Sequence, residues 1–144
     1  SNYQRAFGTP LIAGLAADAS PLLVAQELFA AELVLLAHDG ADPGSDPGPR
    51  LIYTNRAALR LWQRPWGEMV GMPSQLTAAP TERASRSLAL AKAQDHGALQ
   101  GYRGVRVNSQ GRRFQITNAR VWTLRDKHNQ ACGQAATFKS WWWL

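Results

Sequence analysis

Few side chains in this chain have the type and spacing for covalent chemistry. The histidines, His38, His96 and His128, are too scattered for the i, i+4 pairing that aims two imidazoles from one helix face at a metal, and the single cysteine is Cys132. The patterns GxSxG, GxxxxGK followed by Ser or Thr, and GxGxxG are absent, so a nucleophile elbow, a phosphate loop and a dinucleotide turn lack their signatures. His38 is the best general-base candidate. It closes the apolar run LVLLAH and precedes Asp39, so a proton relay to Asp39 or Asp126 would suit a small α+β isomerase or hydrolase. Of the 16 cationic side chains, 13 are arginine, whose planar fork suits bidentate contacts to carboxylate or phosphate. Arg106 is the most suggestive of them. It alternates with Tyr102 and Gly104 on one strand face, and a guanidinium turned inward there needs an acidic partner or an anionic ligand.

The elements that must position these groups are organised around residues 50–72, RLIYTNRAALRLWQRPWGEMVGM. Leu51, Ile52, Tyr53 and Thr54 favour a half-buried pleated surface and predict a strand. Asn55 can accept from an orphan N–H one turn on and is a good N-cap. A short helix follows until Pro65 removes a donor, and a further turn ends at Gly71. Upstream, residues 1–20 have little period and read as an N-terminal arm. Ser20-Pro21 starts an amphipathic helix through Leu28 and Phe29, followed by a strand at residues 33–38 and a Gly/Pro-punctuated surface loop at 39–49.

Downstream, residues 81–97 predict a long helix stopped by Gly97, with Ala84, Leu88 and Ala91 on one face and Arg83, Arg86 and Lys92 elsewhere. Residues 102–107 and 113–124 predict a hairpin through Asn108 and Gly111, and residues 132–139 a last strand. Strand, helices, then strands in series is an α+β order with an antiparallel sheet. Alternation assigns Thr117, Ala119, Val121 and Thr123 with Gly133, Ala135 and Thr137 to a small-residue face, and Trp122 with Phe138 to a bulky one. Three adjacent tryptophans, Trp141 to Trp143, cannot share one strand face, so at least one should meet solvent or another subunit.

A strand that passes through an Asn cap into two clipped helices resembles the exit from the second strand of PAS domains. YRGVRVNSQGRRFQITNARVWTLRD and the ending GQAATFKSWWWL are similar to the MEKHLA family, a PAS-like group, and the matching stretches run over residues 22–144. The resemblance implies a single PAS-like domain at residues 21–144: a five-stranded antiparallel sheet, short helices, one long helix packed on one sheet face and an N-terminal helix flanking. It further implies a cavity between the long helix and the small face, with Leu36, His38, Tyr53, Met72, Leu88, Tyr102, Arg106, Thr117, Ala119, Val121 and Ala135 as candidate ligand contacts. Trp122, Phe138 and Trp142 are the candidate interface, for a homodimer or a partner signalling protein. The function implied is a non-catalytic sensory or regulatory module; the small enzyme using His38 is the alternative. The cofactor is undefined. Haem is disfavoured because His96 lies past the periodic part of the long helix, where a helix C-terminus simply favours an imidazolium. A covalent flavin adduct is disfavoured because the start of the long helix carries residues 77–80, TAAP, with no cysteine.

Composition bounds the rest. A chain of 144 residues holds one core, and no apolar run approaches the roughly 20 residues of a membrane span, so no membrane partner is expected. One cysteine rules out an internal disulfide and suits a reducing cytoplasm. The net charge of +6 is uneven: residues 1–50 carry −4 and residues 51–144 carry +10. The basic body reads first as solvated edges and salt-bridge partners and second as a surface for an anionic partner or ligand. The ligand expected is an unknown small molecule, anionic or aromatic, and nucleic acid, which would require a steep salt dependence, is disfavoured.

Overall fold

A computed structural model describes all of residues 1–144. In chain order the elements are α1 (Asn2–Phe7), α2 (Pro21–Ala30), β1 (Val34–His38), β2 (Leu51–Thr54), α3 (Arg56–Trp62), α4 (Trp66–Met69), two 3-10 turns (Ser74–Thr77 and Pro80–Glu82), α5 (Arg83–His96), β3 (Ala98–Val107), β4 (Arg113–Arg125), β5 (Ala131–Phe138) and β6 (Ser140–Trp143). The sheet has the order β2-β1-β5-β4-β3 with every neighbour antiparallel, and β6 adds to β4. This is the expected α+β architecture, with one short strand more than the sequence suggested.

Asn55 does more than cap α3. Its Oδ1 accepts from Ala58 N–H and Leu35 N–H, both at 3.1 Å, while its Nδ2 donates to the carbonyls of Leu33 at 2.7 Å and Leu28 at 3.2 Å. One fully buried amide therefore ties α2, β1 and the start of α3 together. Ser20 caps α2 as its type predicts, donating nothing and accepting from Leu23 N–H.

The sheet separates two apolar clusters. The inner one gathers Trp62, Met69, Phe114, Ile116 and Phe138 under α3 and α4; the outer one holds Leu33, Leu35, Ala37, Trp122 and Ala135 beneath Tyr3 of α1. Tyr3 and Phe7 meet the Trp122 ring edge-on at 4.9 and 6.0 Å. The cover for Trp122 thus comes from α1, whereas α2 leaves Leu22, Leu23 and Phe29 exposed.

Face assignment on β5 is the reverse of the sequence expectation. Gln134, Ala136 and Phe138 point inward, and Ala135 packs outward with Trp122. Gly133 is small for a different reason from the one supposed. A Cβ there would lie 2.6 Å from the His38 carbonyl oxygen, so the residue is small to let β1 approach. Of the residues expected at an interface, Phe138 is buried in the inner core, with Trp62 at 6.3 Å, and Trp122 is equally buried beneath α1.

On β4 the alternation slips at Asn118, whose φ of 53° is left-handed. Phe114 and Ile116 before it face the same side as Ala119 and Val121 after it. The pairing on either side keeps one register, Thr117 opposite Ser140 and Arg120 opposite Thr137, so the partner strand carries a matching irregularity at Lys139. As a result Trp141 and Trp143 turn inward onto Phe114 at 5.9 and 5.8 Å, and Trp142 faces water at 48% exposure.

Candidate functional site

Between α5 and the inner face of the sheet lies a cavity of about 60 Å³. Its walls come from β1 (Leu36, His38), β3 (Tyr102, Arg106), β4 (Ile116, Ala119, Val121), β5 (Gln134, Ala136, Phe138), α5 (Arg86, Leu90) and the turn residues Ser74 and Thr77. A site that holds a water needs roughly 10–15 Å³, so this space accommodates about four or five. Drug-sized pockets are roughly 300–1,000 Å³, and a haem or a flavin ring would require α5 to move away.

Of the ligand contacts expected from sequence, Leu36, His38, Tyr102, Arg106, Ala119 and Val121 line this cavity, and Ala135 borders it. The others lie elsewhere for identifiable reasons. Tyr53 sits opposite Ala37 in the β1–β2 ladder and so shares the outer face, its ring 5.7 Å from Trp66. Met72 packs at the margin of the inner core. Leu88 is 74% exposed because α5 presents Arg86, Leu90 and Ala93 to the sheet, not the row of Ala84, Leu88 and Ala91. Thr117 lies beyond the Asn118 irregularity, near the Ser140 carbonyl.

The cavity's polar groups divide into a satisfied set and an unsatisfied one. His38 Nδ1 accepts from Gly40 N–H at 3.0 Å, which leaves Nε2–H to donate to Gln134 Oε1, also at 3.0 Å. Gln134 Nε2 in turn donates to the Leu90 carbonyl at 3.1 Å, tethering α5 to β5. Burial first, and then the nearby Arg86 charge, lower the His38 pKa to about 4, so the ring is neutral at pH 7. With both nitrogens occupied and Asp39 Oδ1 accepting from Ala41 and Arg50 N–H groups, His38 lacks the free face and the carboxylate partner a general base requires.

The two arginines form the unsatisfied set. Arg86 and Arg106 are each 7% exposed. Arg86 donates to Ser74 Oγ at 2.8 Å; Arg106 donates to Tyr102 Oη at 3.0 Å and to its neighbour's carbonyl, Val105 O, at 3.1 Å. No Asp or Glu lines the cavity, and the ion pairs of the chain, Arg64–Glu68 and Arg113–Glu82, are elsewhere. Burial, and next the Arg106 charge, hold the Arg86 pKa down to about 9. The sequence found Arg106 from strand alternation and the PAS resemblance but placed Arg86 off the packing face of the long helix. Its i, i+4, i+7 relation to Leu90 and Ala93 was the available signal.

The fold is that of a PAS-like domain. A light-oxygen-voltage receptor described as RNA-binding superposes with a TM-score of 0.70 at 16% identity over 90% of this chain, which spans 35% of that chain. A PAS domain from Colwellia psychrerythraea superposes with a TM-score of 0.66 at 12% identity, covering 81% of this chain and 92% of that one. A light-oxygen-voltage domain studied with a flavin analogue gives 0.62 at 15% identity, covering 85% and 84%. Within that class the chain belongs to the MEKHLA domain family, which matches residues 1–143. No curated protein sequence matches it.

Proposed function

We propose that this domain is a non-catalytic sensor whose small-molecule ligand occupies the cavity beneath α5. The observation that carries this reading is the cavity itself, roofed by α5, whose polar tethers are Arg83 to the Gln75 and Ala78 carbonyls, Arg86 to Ser74 and the Leu90 carbonyl to Gln134. A ligand that fills the space tightens or displaces α5 by its differential affinity for the two positions. The inner residues Val121 and Ala136 share their strands with Trp122 and Ala135, on which α1 rests, so a shift of the sheet reaches α1. A second copy of this chain or a signalling partner then reads the altered surface. The occupied ring nitrogens of His38 favour this over the isomerase or hydrolase reading.

Titrating metabolites against the thermal midpoint, with hydrogen exchange read over residues 83–96, tests it. A ligand should raise the midpoint and slow exchange in α5, and Ala136→Leu, which fills the cavity, should abolish both responses. A ligand response that survives Ala136→Leu, or a midpoint indifferent to every compound, would overturn the reading.

A further inference from the structure

Resting on that reading, we infer that the ligand is a short-chain carboxylate: its oxygens are held by Arg86, Arg106 and Tyr102, and its aliphatic tail lies along Leu36, Leu90 and Val121.

Two largely buried guanidinium groups on different elements line one cavity that contains no acidic side chain. Buried charges are ordinarily paired, because desolvation without a counter-charge is expensive. These two instead repel each other, and Arg106 contributes to the lowered Arg86 pKa. A guanidinium carries a fork of N–H donors. Arg86 spends one on Ser74 and Arg106 two on Tyr102 and Val105, which leaves both forks with donors that have no protein acceptor. Tyr102 accepts from Arg106 and retains its own O–H to donate. An anion placed among them would neutralise the pair and accept several charge-assisted hydrogen bonds.

Size and lining narrow the anion. Space for about four or five waters corresponds to a ligand of about four to six heavy atoms. Beyond the arginine pair and Tyr102 the walls are mostly aliphatic or aromatic, and the other polar side chains there, Ser74, Thr77, His38 and Gln134, already have partners. An inorganic oxyanion would leave that apolar half empty. A carboxylate with a two- to three-carbon tail fills both halves.

The test uses the full chain at pH 7 and constant ionic strength, comparing sodium butanoate, butanamide and sodium sulfate by calorimetry and thermal midpoint. Butanoate should bind saturably and raise the midpoint, butanamide should not, and sulfate should bind more weakly. Arg106→Gln should weaken butanoate binding about tenfold or more, in line with loss of a hydrogen bond to a charged group. Arg86→Gln should do the same; should that variant fail to fold, Arg106→Gln alone decides, with circular dichroism confirming its fold. Butanoate binding unaltered by Arg106→Gln would overturn the assignment, as would sulfate binding equal to butanoate. Butanamide binding as well as butanoate would overturn the anion while leaving the sensor reading intact. Silence from all three probes, together with a broader metabolite set that also fails, would remove both.

Discussion

At the residue scale the most consequential group is His38, whose neutrality is built in. It faces Arg86, Asp39 and Gln134, and its pKa falls from 6.5 to about 4. Between those values the unfolded chain binds a proton that the folded chain refuses. Stability is therefore full above pH 6.5 and declines as the pH falls towards 4, by up to about 3 kcal/mol. Urea titrations across that range should show the decline, and His38→Gln should flatten it; an unchanged slope in that variant would place the acid sensitivity elsewhere. His38 was legible in the sequence as a strand-end residue of the cavity, but its role was not. Whether a histidine acts as a base or as a fixed strut depends on what fills its two nitrogens, and Gly40 and Gln134 fill them through contacts no spacing rule reports. Arg86 was hidden for a related reason. The row of Ala84, Leu88 and Ala91 reads as the packing face, whereas the helix buries Arg86, Leu90 and Ala93.

At the element scale, strands and helices were largely legible, because Asn55, Ser20, Pro65 and Gly97 mark their ends by local chemistry. Alternation showed which residues share a face and the PAS resemblance which face turns inward, and the two held together on residues 102–106 of β3 and on β4 after Asn118. On β5, and on β4 before Asn118, the assignment failed, since residue size was taken as a mark of the cavity. Gly133 is small to accommodate the β1 backbone, so Gly133→Ala should force β1 and β5 apart and lower stability by about 2 kcal/mol. Denaturant unfolding would check this. A neutral effect would mean that the strands part without strain. The same substitution should loosen His38, whose carbonyl it strikes.

On the scale of the whole molecule, that α1 covers the sheet's outer face was not foreseen from the sequence. A six-residue helix in a stretch with little hydrophobic period does that work through Tyr3 and Phe7, and Arg120 donates to the Tyr3 hydroxyl at 2.7 Å. Uncovering Trp122 would leave a large apolar patch, and such patches drive association. The double variant Tyr3→Ser, Phe7→Ser should therefore raise the apparent mass in solution, measured by sedimentation, relative to the parent chain. An unchanged mass would mean that the exposed Trp122 face does not recruit a second copy.

The paired irregularity at Asn118 and Lys139 has a consequence for how this sheet can vary in length. Because β3 carries a compensating extra residue between Leu99 and Tyr102, all three strands are one residue longer at this level, and dropping all three would restore an ordinary pleat with the inward side chains still inward. The seam is thus a place where relatives of this chain can be three residues shorter without turning the sheet inside out.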